Sequence, residues 1–208
     1  MKREEKNQQT RRRIMDSALA EFSRQGYGAS SINNISSAQD LSKGIIYHYF
    51  KTKDDLFLAC VEECFQLLTA YLKAHIQPEQ DFGEQQLEEY FSVRPAFFRE
   101  HPCYQRIFCE AIMTPPAHLR AELQARRQVF DALNVEILER LLAPLTLRPS
   151  TTKEDVVETL WQFQDFINAR YQPADMDAAS FEAHEASCRK ALNILLYGAI
   201  ARKEDPHV

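Results

Sequence analysis

The sequence predicts an all-α protein. It has only five glycines in 208 residues, apolar residues recur with the 3.6-residue period of helices, and no alternating strand run with hairpin signals is present. Apolar residues make up 45% of the chain, enough for a small N-terminal module and a larger helical domain with its own core. No run reaches the roughly 18 apolar residues of a membrane span, and the charged N-terminus lacks a secretory signal. We therefore expect a cytoplasmic protein without a membrane partner.

Three helices are predicted within the first 50 residues. The first spans about residues 10–25 and ends at the pair Gly26 and Gly28, as helix C-termini often do. The second spans about residues 31–39, and the third residues 43–50 with Ser42 as its N-cap. Apolar spacing assigns the buried residues of the first two helices: Ile14, Ala18, Leu19, Phe22, Ile32 and Ile35.

A fourth helix is predicted to start after Thr52 and to continue to about residue 75, because Thr52 and Asp55 have the spacing of a capping box. Prolines separate the later helices, which are expected near residues 83–99 (interrupted around Pro95), 103–113, 117–142, 153–171 and 178–202. Thr151 and Glu154 repeat the capping-box spacing before the helix at 153.

The third predicted helix has an exposed side that suits a DNA groove better than water. Ile46 and Phe50, four residues apart, define its buried side. The opposite side presents a glycine, an isoleucine, a histidine and two tyrosines: Gly44, Ile45, His48, Tyr47 and Tyr49. By itself a Tyr-His-Tyr-Phe cluster is more typical of a core. Here the buried side is already filled and lysines flank the cluster, which favours a contact surface.

Each residue type on this side has a role that DNA would explain. Gly44 costs about 1 kcal/mol relative to alanine inside a helix, which is expected where the backbone approaches another surface closely. Ile45 can contact a thymine methyl, and Lys43 can reach a guanine edge or a phosphate. Tyrosine and histidine can bind phosphate oxygens. Lys53 would place an ammonium beside free backbone N–H groups, where phosphate binds well.

Charge is divided unevenly along the chain. Residues 1–53 carry ten Lys/Arg and five Asp/Glu, a net charge of +5, whereas residues 54–208 carry fifteen and twenty-five, a net charge of −10. A basic segment suits phosphates and an acidic one favours solubility. We therefore expect a helix-turn-helix DNA-binding domain at residues 1–53 and a second, larger domain at residues 54–208.

Residues 10–56 strongly resemble the N-terminal domain of TetR-family (tetracycline-repressor-type) transcriptional regulators; they read TRRRIMDSALAEFSRQGYGASSINNISSAQDLSKGIIYHYFKTKDDL. The specific core of the resemblance is SKGxxYxxFxxKxxL, here Ser42, Lys43, Gly44, Tyr47, Phe50, Lys53 and Leu56. Two departures occur: Gln39-Asp40 replaces the usual Ala-Gly of the turn, and Ser36 replaces an alanine. Because Asp tolerates a left-handed backbone, the turn is expected to form.

The resemblance implies that the third helix enters the major groove of double-stranded DNA. It implies base-facing positions at Lys43, Gly44 and Ile45. It implies phosphate contacts at Ser31, Tyr47, His48, Tyr49 and Lys53. Ser42, which begins the motif, completes the set of DNA-binding candidates.

By analogy with the family, residues 54–208 are expected to bind a small-molecule effector and to form a homodimer. Aromatic and methionine side chains are the candidates for the effector pocket: Phe65, Tyr104, Phe108, Met113, Phe130 and Trp161. Apolar residues that repeat on one side of the last two helices are the candidates for the dimer interface: Leu160, Phe163, Ile167, Leu192, Leu195, Leu196 and Ala199. An ordinary intramolecular core remains open for both sets.

No enzyme, metal site or cofactor is expected. The chain has no Glu-x-x-His pair, no Gly-rich phosphate loop and no nucleophile elbow. Glu182, His184 and Glu185 are expected on a solvated helix face. The five cysteines include no CxxC pair and are expected as small buried side chains, with metal binding or redox sensing left open.

Together these observations predict a ligand-responsive regulator that represses transcription from a pseudo-palindromic operator and is released by its effector. The alternative is an activator, or an adaptor-type helix-turn-helix protein that acts through another protein. The operator, the effector and the regulated genes are not encoded in recognisable residues.

Overall fold

The computed structural model describes residues 3–76, 84–171 and 177–199, and these residues are mainly helical with no β-strand. The helices are α1 (Arg3–Ala29), α2 (Ile32–Ser37), α3 (Lys43–Tyr49), α4 (Lys53–His75), α5 (Glu84–Glu100), α6 (Gln105–Met113), α7 (Arg120–Leu142), α8 (Lys153–Asn168) and α9 (Ala178–Ala199). Short 3-10 turns at Pro102–Tyr104 and Ala117–Leu119 precede α6 and α7. The all-α prediction is confirmed. In the part of the chain described, no helix is both long and apolar enough to cross a membrane.

The chain folds as two compact units. The first consists of Met1–Leu68 with Phe98–Gln128, and the second of Thr69–Phe97 with Val129–Val208. The unit that contains residues 1–53 is thus larger than the predicted DNA-binding domain. A functional boundary after residue 53 stays a prediction.

In the first unit, α1 packs against α2, α4 and α6 around a continuous apolar core. Its predicted buried residues are confirmed: Ile14, Ala18, Leu19, Phe22, Ile32 and Ile35 are at most 8% exposed. The Phe22 and Phe57 rings meet edge to face with centroids 5.2 Å apart, which joins α1 to α4. Burial of each such side chain stabilises a fold by about 1.5–3 kcal/mol.

Local interactions determine where α2 of the helix-turn-helix begins and ends. Ser31 Oγ accepts a hydrogen bond from Asn34 N at 3.2 Å and begins α2. Asp40, in the turn after α2, has a φ of +51°, so the left-handed conformation expected for this residue is confirmed. Leu41 N then donates to Ser36 O at 2.9 Å, which closes the end of α2.

In the second unit, α8 and α9 pack against each other, with α5 and α7 supplying further buried residues. Tyr90 Oη donates to Asn134 Oδ1 at 2.6 Å, and Asn134 Nδ2 donates to Phe130 O at 2.7 Å. His184 Nε2 lies 2.8 Å from Asn168 Oδ1, which connects α8 to α9. Buried polar groups in this unit are therefore mostly paired with one another.

Several predicted helix bounds were wrong. α1 begins seven residues before the predicted start at residue 10, because its polar N-terminal turns carry no apolar period. α5 continues through Pro95 instead of being interrupted there. The capping box of α8 is formed by Thr152 and Asp155 and not by Thr151 and Glu154. The predicted end of the last helix at residue 202 lies outside the described residues.

Candidate nucleic-acid interface

α3 is held by its N-cap and two buried side chains. Ser42 Oγ accepts a hydrogen bond from Ile45 N at 3.2 Å, which satisfies one of the free amides at the helix start. Ile46 is fully buried, and Phe50, the C-cap, is 6% exposed. The buried side of α3 is therefore the one predicted, and the rest of the helix is turned outward.

The opposite side of α3 is open to solvent. Its exposed residues are Lys43, Gly44, Tyr47 and His48, with Ile45 and Tyr49 half-buried beside them. Tyr47, at 47%, is among the most exposed large apolar side chains of the described chain. Within the described residues, no hydrogen bond engages the side chain of Lys43, Tyr47 or His48. Their donors are thus available to a partner outside the chain.

Nothing inside the described protein requires a glycine at position 44. The φ of Gly44 is not in the left-handed region; among the described glycines, Gly26 has a positive φ. An added Cβ would have Ser42 Oγ, 4.0 Å away, as its nearest neighbour. The helical cost of glycine, about 1 kcal/mol relative to alanine, therefore has no compensation among the residues that the structure describes. The open space beside Gly44 leaves room for another surface to approach the backbone.

Lys53 is placed differently from the prediction. Its ammonium does not stand free beside the first amides of α4 but donates to Tyr27 O at 2.8 Å and to Ser30 O at 3.2 Å. It also lies 4.2 Å from the centroid of the Tyr27 ring. Carbonyls at the C-terminal end of a helix lack partners and carry partial negative charge, so they attract an ammonium. Lys53 thus fixes the chain that leads into Ser31, and one of its three N–H groups remains available.

The six effector-pocket candidates fall into two groups. Phe65, Tyr104 and Phe108 are buried in the first unit, where the Phe65 and Phe108 rings lie 5.8 Å apart. Tyr104 Oη donates a hydrogen bond to the Glu63 carboxylate. The pKa of Tyr104 is raised, mainly because the phenol is buried and secondly because of this carboxylate. Met113 is half-buried in the same unit. Phe130 (buried) and Trp161 (half-buried) belong to the second unit. A pocket shared by all six stays a prediction.

The dimer candidates also divide. Ile167 and Leu192 are 7% and 1% exposed, so they belong to the intramolecular core of the second unit. Leu160 and Leu195 are half-buried, and Phe163 is 51% exposed. Phe166 and Ile194, which were not among the candidates, are 60% and 62% exposed. The side chains of Leu196 and Ala199 lie outside the described residues. The interface itself stays a prediction.

The expected solvated face at Glu182, His184 and Glu185 was partly wrong. His184 and Glu185 are each 3% exposed, and Glu185 pairs with the buried Arg94. A signal was present: Phe181, Cys188 and Leu192 follow helical spacing and are buried, and His184 and Glu185 share that side of α9. Among the described residues, no group of three or more His, Cys, Asp or Glu side chains could hold a metal ion.

Residues 14–60 match the sequence model of the family described as bacterial regulatory proteins, tetR family. The HTH-type transcriptional regulator AcrR of Shigella flexneri is 43% identical over 56 residues, which are 27% of this chain and 26% of AcrR. The HTH-type transcriptional regulator RutR of Escherichia coli (strain K12) is 27% identical over 111 residues, 53% of this chain and 51% of RutR. The chain thus spans about a quarter to a half of the length of these curated relatives.

Solved structures are similar to nearly the whole chain. A TetR-family transcriptional regulator from Agrobacterium tumefaciens is 24% identical, with a TM-score of 0.63, over 93% of this chain and 99% of that one. The Bacillus subtilis regulator FadR, solved with stearoyl-CoA, is 16% identical, with a TM-score of 0.66, over 89% and 97%. These likenesses show the fold. Residues 14–60 thus match the tetR family of bacterial regulatory proteins, and the chain shares its fold with solved TetR-family regulators.

Proposed function

We propose that this protein is a ligand-responsive DNA-binding transcriptional regulator that represses its target genes. The exposed side of α3 is the observation that carries this function. Among the described residues, nothing requires a glycine at position 44 and nothing pairs with Lys43. Exposure to water alone gives little reason for these two residues or for Tyr47 and Tyr49 beside them. In the major groove each of them has a partner: base edges, thymine methyls and phosphate oxygens.

Two groups of DNA contacts are proposed along α3. Lys43, Gly44 and Ile45, in its first turn, face the bases. Tyr47, His48 and Tyr49 reach phosphates from the flanks. Ser31 and Ser42 bring hydroxyls to the starts of α2 and α3, and Lys53 uses its remaining N–H group. Phosphate contacts fix the position of the helix, and the base contacts discriminate between sequences.

A small-molecule effector controls release from DNA. Support comes from the fold, which is also that of FadR solved with stearoyl-CoA. The aromatic side chains of Phe65, Tyr104 and Phe108 are the candidate walls in the first unit. The effector releases DNA only if it binds more tightly to a form of the protein whose recognition helices do not match the operator. No cofactor is needed for this cycle.

The functional species is a homodimer that pairs through α8 and α9. Phe163, Phe166 and Ile194 are each more than half exposed on these helices, and a second copy would cover them. A symmetric dimer presents two α3 helices to half-sites about one helical turn apart, or roughly 34–36 Å. This accounts for a pseudo-palindromic operator.

Fluorescence anisotropy with the full chain tests DNA binding. The probe is a labelled duplex from upstream of the protein's own gene, compared with a scrambled duplex at about 50 and 200 mM salt. We expect preference for the upstream duplex and a steep loss of affinity with salt. Tyr47→Ala with His48→Ala should weaken binding without altering the melting temperature, since neither side chain has a hydrogen bond to another described residue. Lys190→Ala, an exposed lysine of α9, is the control. No binding to either duplex at low salt would contradict the proposal.

A reporter fused to the same upstream region separates repression from activation. Deletion of the regulator raises expression under repression and lowers it under activation. If purified protein binds the duplex but deletion lowers expression, the DNA-binding role stands and the repressor role is wrong.

A further inference from the structure

α1 is interrupted by a kink at Gly26, where φ is +75° and ψ is 169°, and two side chains from α6 cap the long helical run that ends there. Arg106 donates to Arg24 O at 2.9 Å through Nη1 and to Gln25 O at 3.1 Å through Nη2. Glu110, one turn further along α6, accepts a hydrogen bond from Tyr27 N at 2.8 Å. The two side chains also pair with each other at 3.4 Å. Carbonyls at a helix end lack intrahelical partners, so α6 supplies the cap that α1 cannot make for itself.

Gly26 makes this arrangement possible in two ways. Its φ of +75° lies in the left-handed region, which side-chain-bearing residues rarely adopt. An added Cβ would also collide with the carboxylate of Glu110 and would stand 2.7 Å from Arg106 Nη2. The glycine therefore lets the backbone turn where α6 approaches it most closely. Arg106 and Glu110 are 22% and 14% exposed, so their contacts with α1 are partly shielded from solvent.

The same short segment carries contacts proposed for DNA. Tyr27 O and Ser30 O receive the Lys53 ammonium, and Ser31, the next residue, caps α2. Thus Gly26–Ser31 is held by α6 at its start and by Lys53 at its end. Two of the proposed phosphate contacts, Ser31 and Lys53, depend on where this segment lies.

We propose that Arg106 and Glu110 are positioning residues for DNA binding. They hold segment Gly26–Ser31 in the geometry that presents Ser31 and Lys53 to the phosphates, although they touch no nucleotide themselves. This rests on the proposed function. Both residues lie outside the family-matched residues 14–60, and hydrogen bonds from a guanidinium or to a carboxylate are the stronger kind, so their loss should be measurable.

Arg106→Gln in the full chain tests the role. Affinity for the upstream duplex and for a scrambled duplex should both fall about tenfold, which is about 1.4 kcal/mol at 25 °C. The order of preference among duplexes should not change, because no base contact is lost. Glu110→Gln keeps an acceptor for Tyr27 N and should lose less. Arg106→Lys should also lose less, because an ammonium still donates to a carbonyl.

Arg126→Gln is the matched control. Arg126 lies in the same unit but outside residues 1–53, and it pairs with Glu62 of α4 at 3.8 Å, so its loss removes one positive charge and one contact between helices. It should lower the melting temperature slightly without changing DNA affinity measured well below that temperature. If Arg106→Gln behaves like Arg126→Gln, the residue is only structural and the proposal is overturned.

Two further outcomes remain distinct. If the wild-type protein binds no duplex, the proposed function fails, whatever the variants do. If Arg106→Gln does not fold, Arg106→Lys and Glu110→Gln carry the same comparison. Loss of folding in all three would overturn the positioning role, since the contact would then be a condition of folding.

Discussion

Arg94 Nη2 lies 3.0 Å from a carboxylate oxygen of Glu185, and the two side chains are only 4% and 3% exposed. The guanidinium also lies 5.6 Å from the centroid of the Tyr90 ring. Within the described residues, Arg94 Nε and both oxygens of Glu185 have no well-formed hydrogen bond. Removing two charges from water is expensive, and their attraction offsets that cost only when the geometry is good. The pair as a whole therefore adds little to the free energy of unfolding. Removing either side chain alone, however, would leave the other charge buried without its main counter-charge.

A double-mutant cycle should reveal this dependence. Arg94→Met leaves the buried Glu185 with the His184 ring, whose Nδ1 lies 3.5 Å from Oε1, and Glu185→Leu leaves the buried Arg94 guanidinium without its carboxylate. Either change alone should lower the free energy of unfolding by about 3–5 kcal/mol. The double variant should lose less than either single variant. Urea denaturation with unchanged m-values measures all three. Additive losses in the double variant would show that the two side chains act independently.

The cysteine thiols should resist modification in the folded protein. Burial, followed by the nearby charge of Glu185, raises the pKa of Cys188 to about 12. Burial likewise raises the pKa of Cys60 and Cys64, so almost no thiolate is present at neutral pH. We expect iodoacetamide at pH 8 to label at most Cys103, which is half-buried, and to label all five cysteines after denaturation. Rapid native labelling of Cys60 or Cys64, detected by mass spectrometry, would reopen redox sensing.

The sequence predicted α3 well because its determinants are local. The Ser42 cap, the buried pair Ile46 and Phe50 and the outward position of His48 all follow from spacing within nine residues. The start of α8 could not be predicted to the exact residue from local sequence. Thr151 with Glu154 and Thr152 with Asp155 have the same capping-box spacing, and only the packed structure selects the second pair.

Contacts between distant residues left little trace in the sequence. Arg106 and Gln25 are 81 positions apart, and nothing near either residue marks the pairing. The prediction for Lys53 placed its ammonium beside the first amides of α4, whereas its hydrogen bonds to Tyr27 O and Ser30 O depend on where the end of α1 lies. From the sequence alone Glu185 was predicted on the surface, but in the fold it is buried beside Arg94 of another helix. Charged side chains that find partners across the fold are the ones that sequence patterns place least well.

The two glycines at positions 26 and 44 should respond to alanine in opposite ways. Gly26→Ala forces alanine to a φ of +75° and a ψ of 169°, a combination that essentially only glycine adopts, at about 1–3 kcal/mol. It also displaces Arg106 and Glu110, so the melting temperature should fall. Gly44→Ala should stabilise the fold by up to about 1 kcal/mol, because its space is open, yet it should weaken DNA binding. Gly28→Ala, also open, controls for the gain in helix propensity. Unchanged DNA affinity in Gly44→Ala would remove the case for a close backbone approach.

Acid should weaken the helix-turn-helix through Glu21. Burial alone would raise the pKa of this carboxyl, but hydrogen bonds from Asn34 and Arg24, both at 2.8 Å, hold it below the ordinary 4.5. Because the pKa is lower in the folded state, the ionised carboxyl stabilises the fold at pH values above 4.5. This contribution is lost as the pH falls from 4.5 through the folded-state pKa. Glu21→Gln should therefore show a smaller fall in melting temperature in that window than wild type. The exposed Glu139→Gln is the control, and equal pH profiles for wild type and Glu21→Gln would contradict the assignment.

Substitutions along α3 should separate base contacts from phosphate contacts. Lys43→Ala or Ile45→Ala should change the preference among operator duplexes that differ at one base pair, by about 1–3 kcal/mol at the affected position. Tyr47→Phe and Lys53→Ala should weaken binding to all duplexes alike. Lys53→Ala should also reduce the slope of log affinity against log salt by about 0.9, the value for one phosphate contact. Gel-shift titrations over a salt series measure both quantities.

Lys53 needs one further comparison, because its ammonium also binds Tyr27 O and Ser30 O. Lys53→Ala should lower the melting temperature, whereas Tyr47→Phe should not, since Tyr47 has no internal partner among the described residues. A change in salt slope cannot arise from lost stability alone, so the slope distinguishes a phosphate contact from an internal cap. If Lys53→Ala lowers the melting temperature and leaves the slope unchanged, Lys53 is only a cap. If Lys43→Ala changes neither affinity nor preference, α3 does not read bases through its first turn.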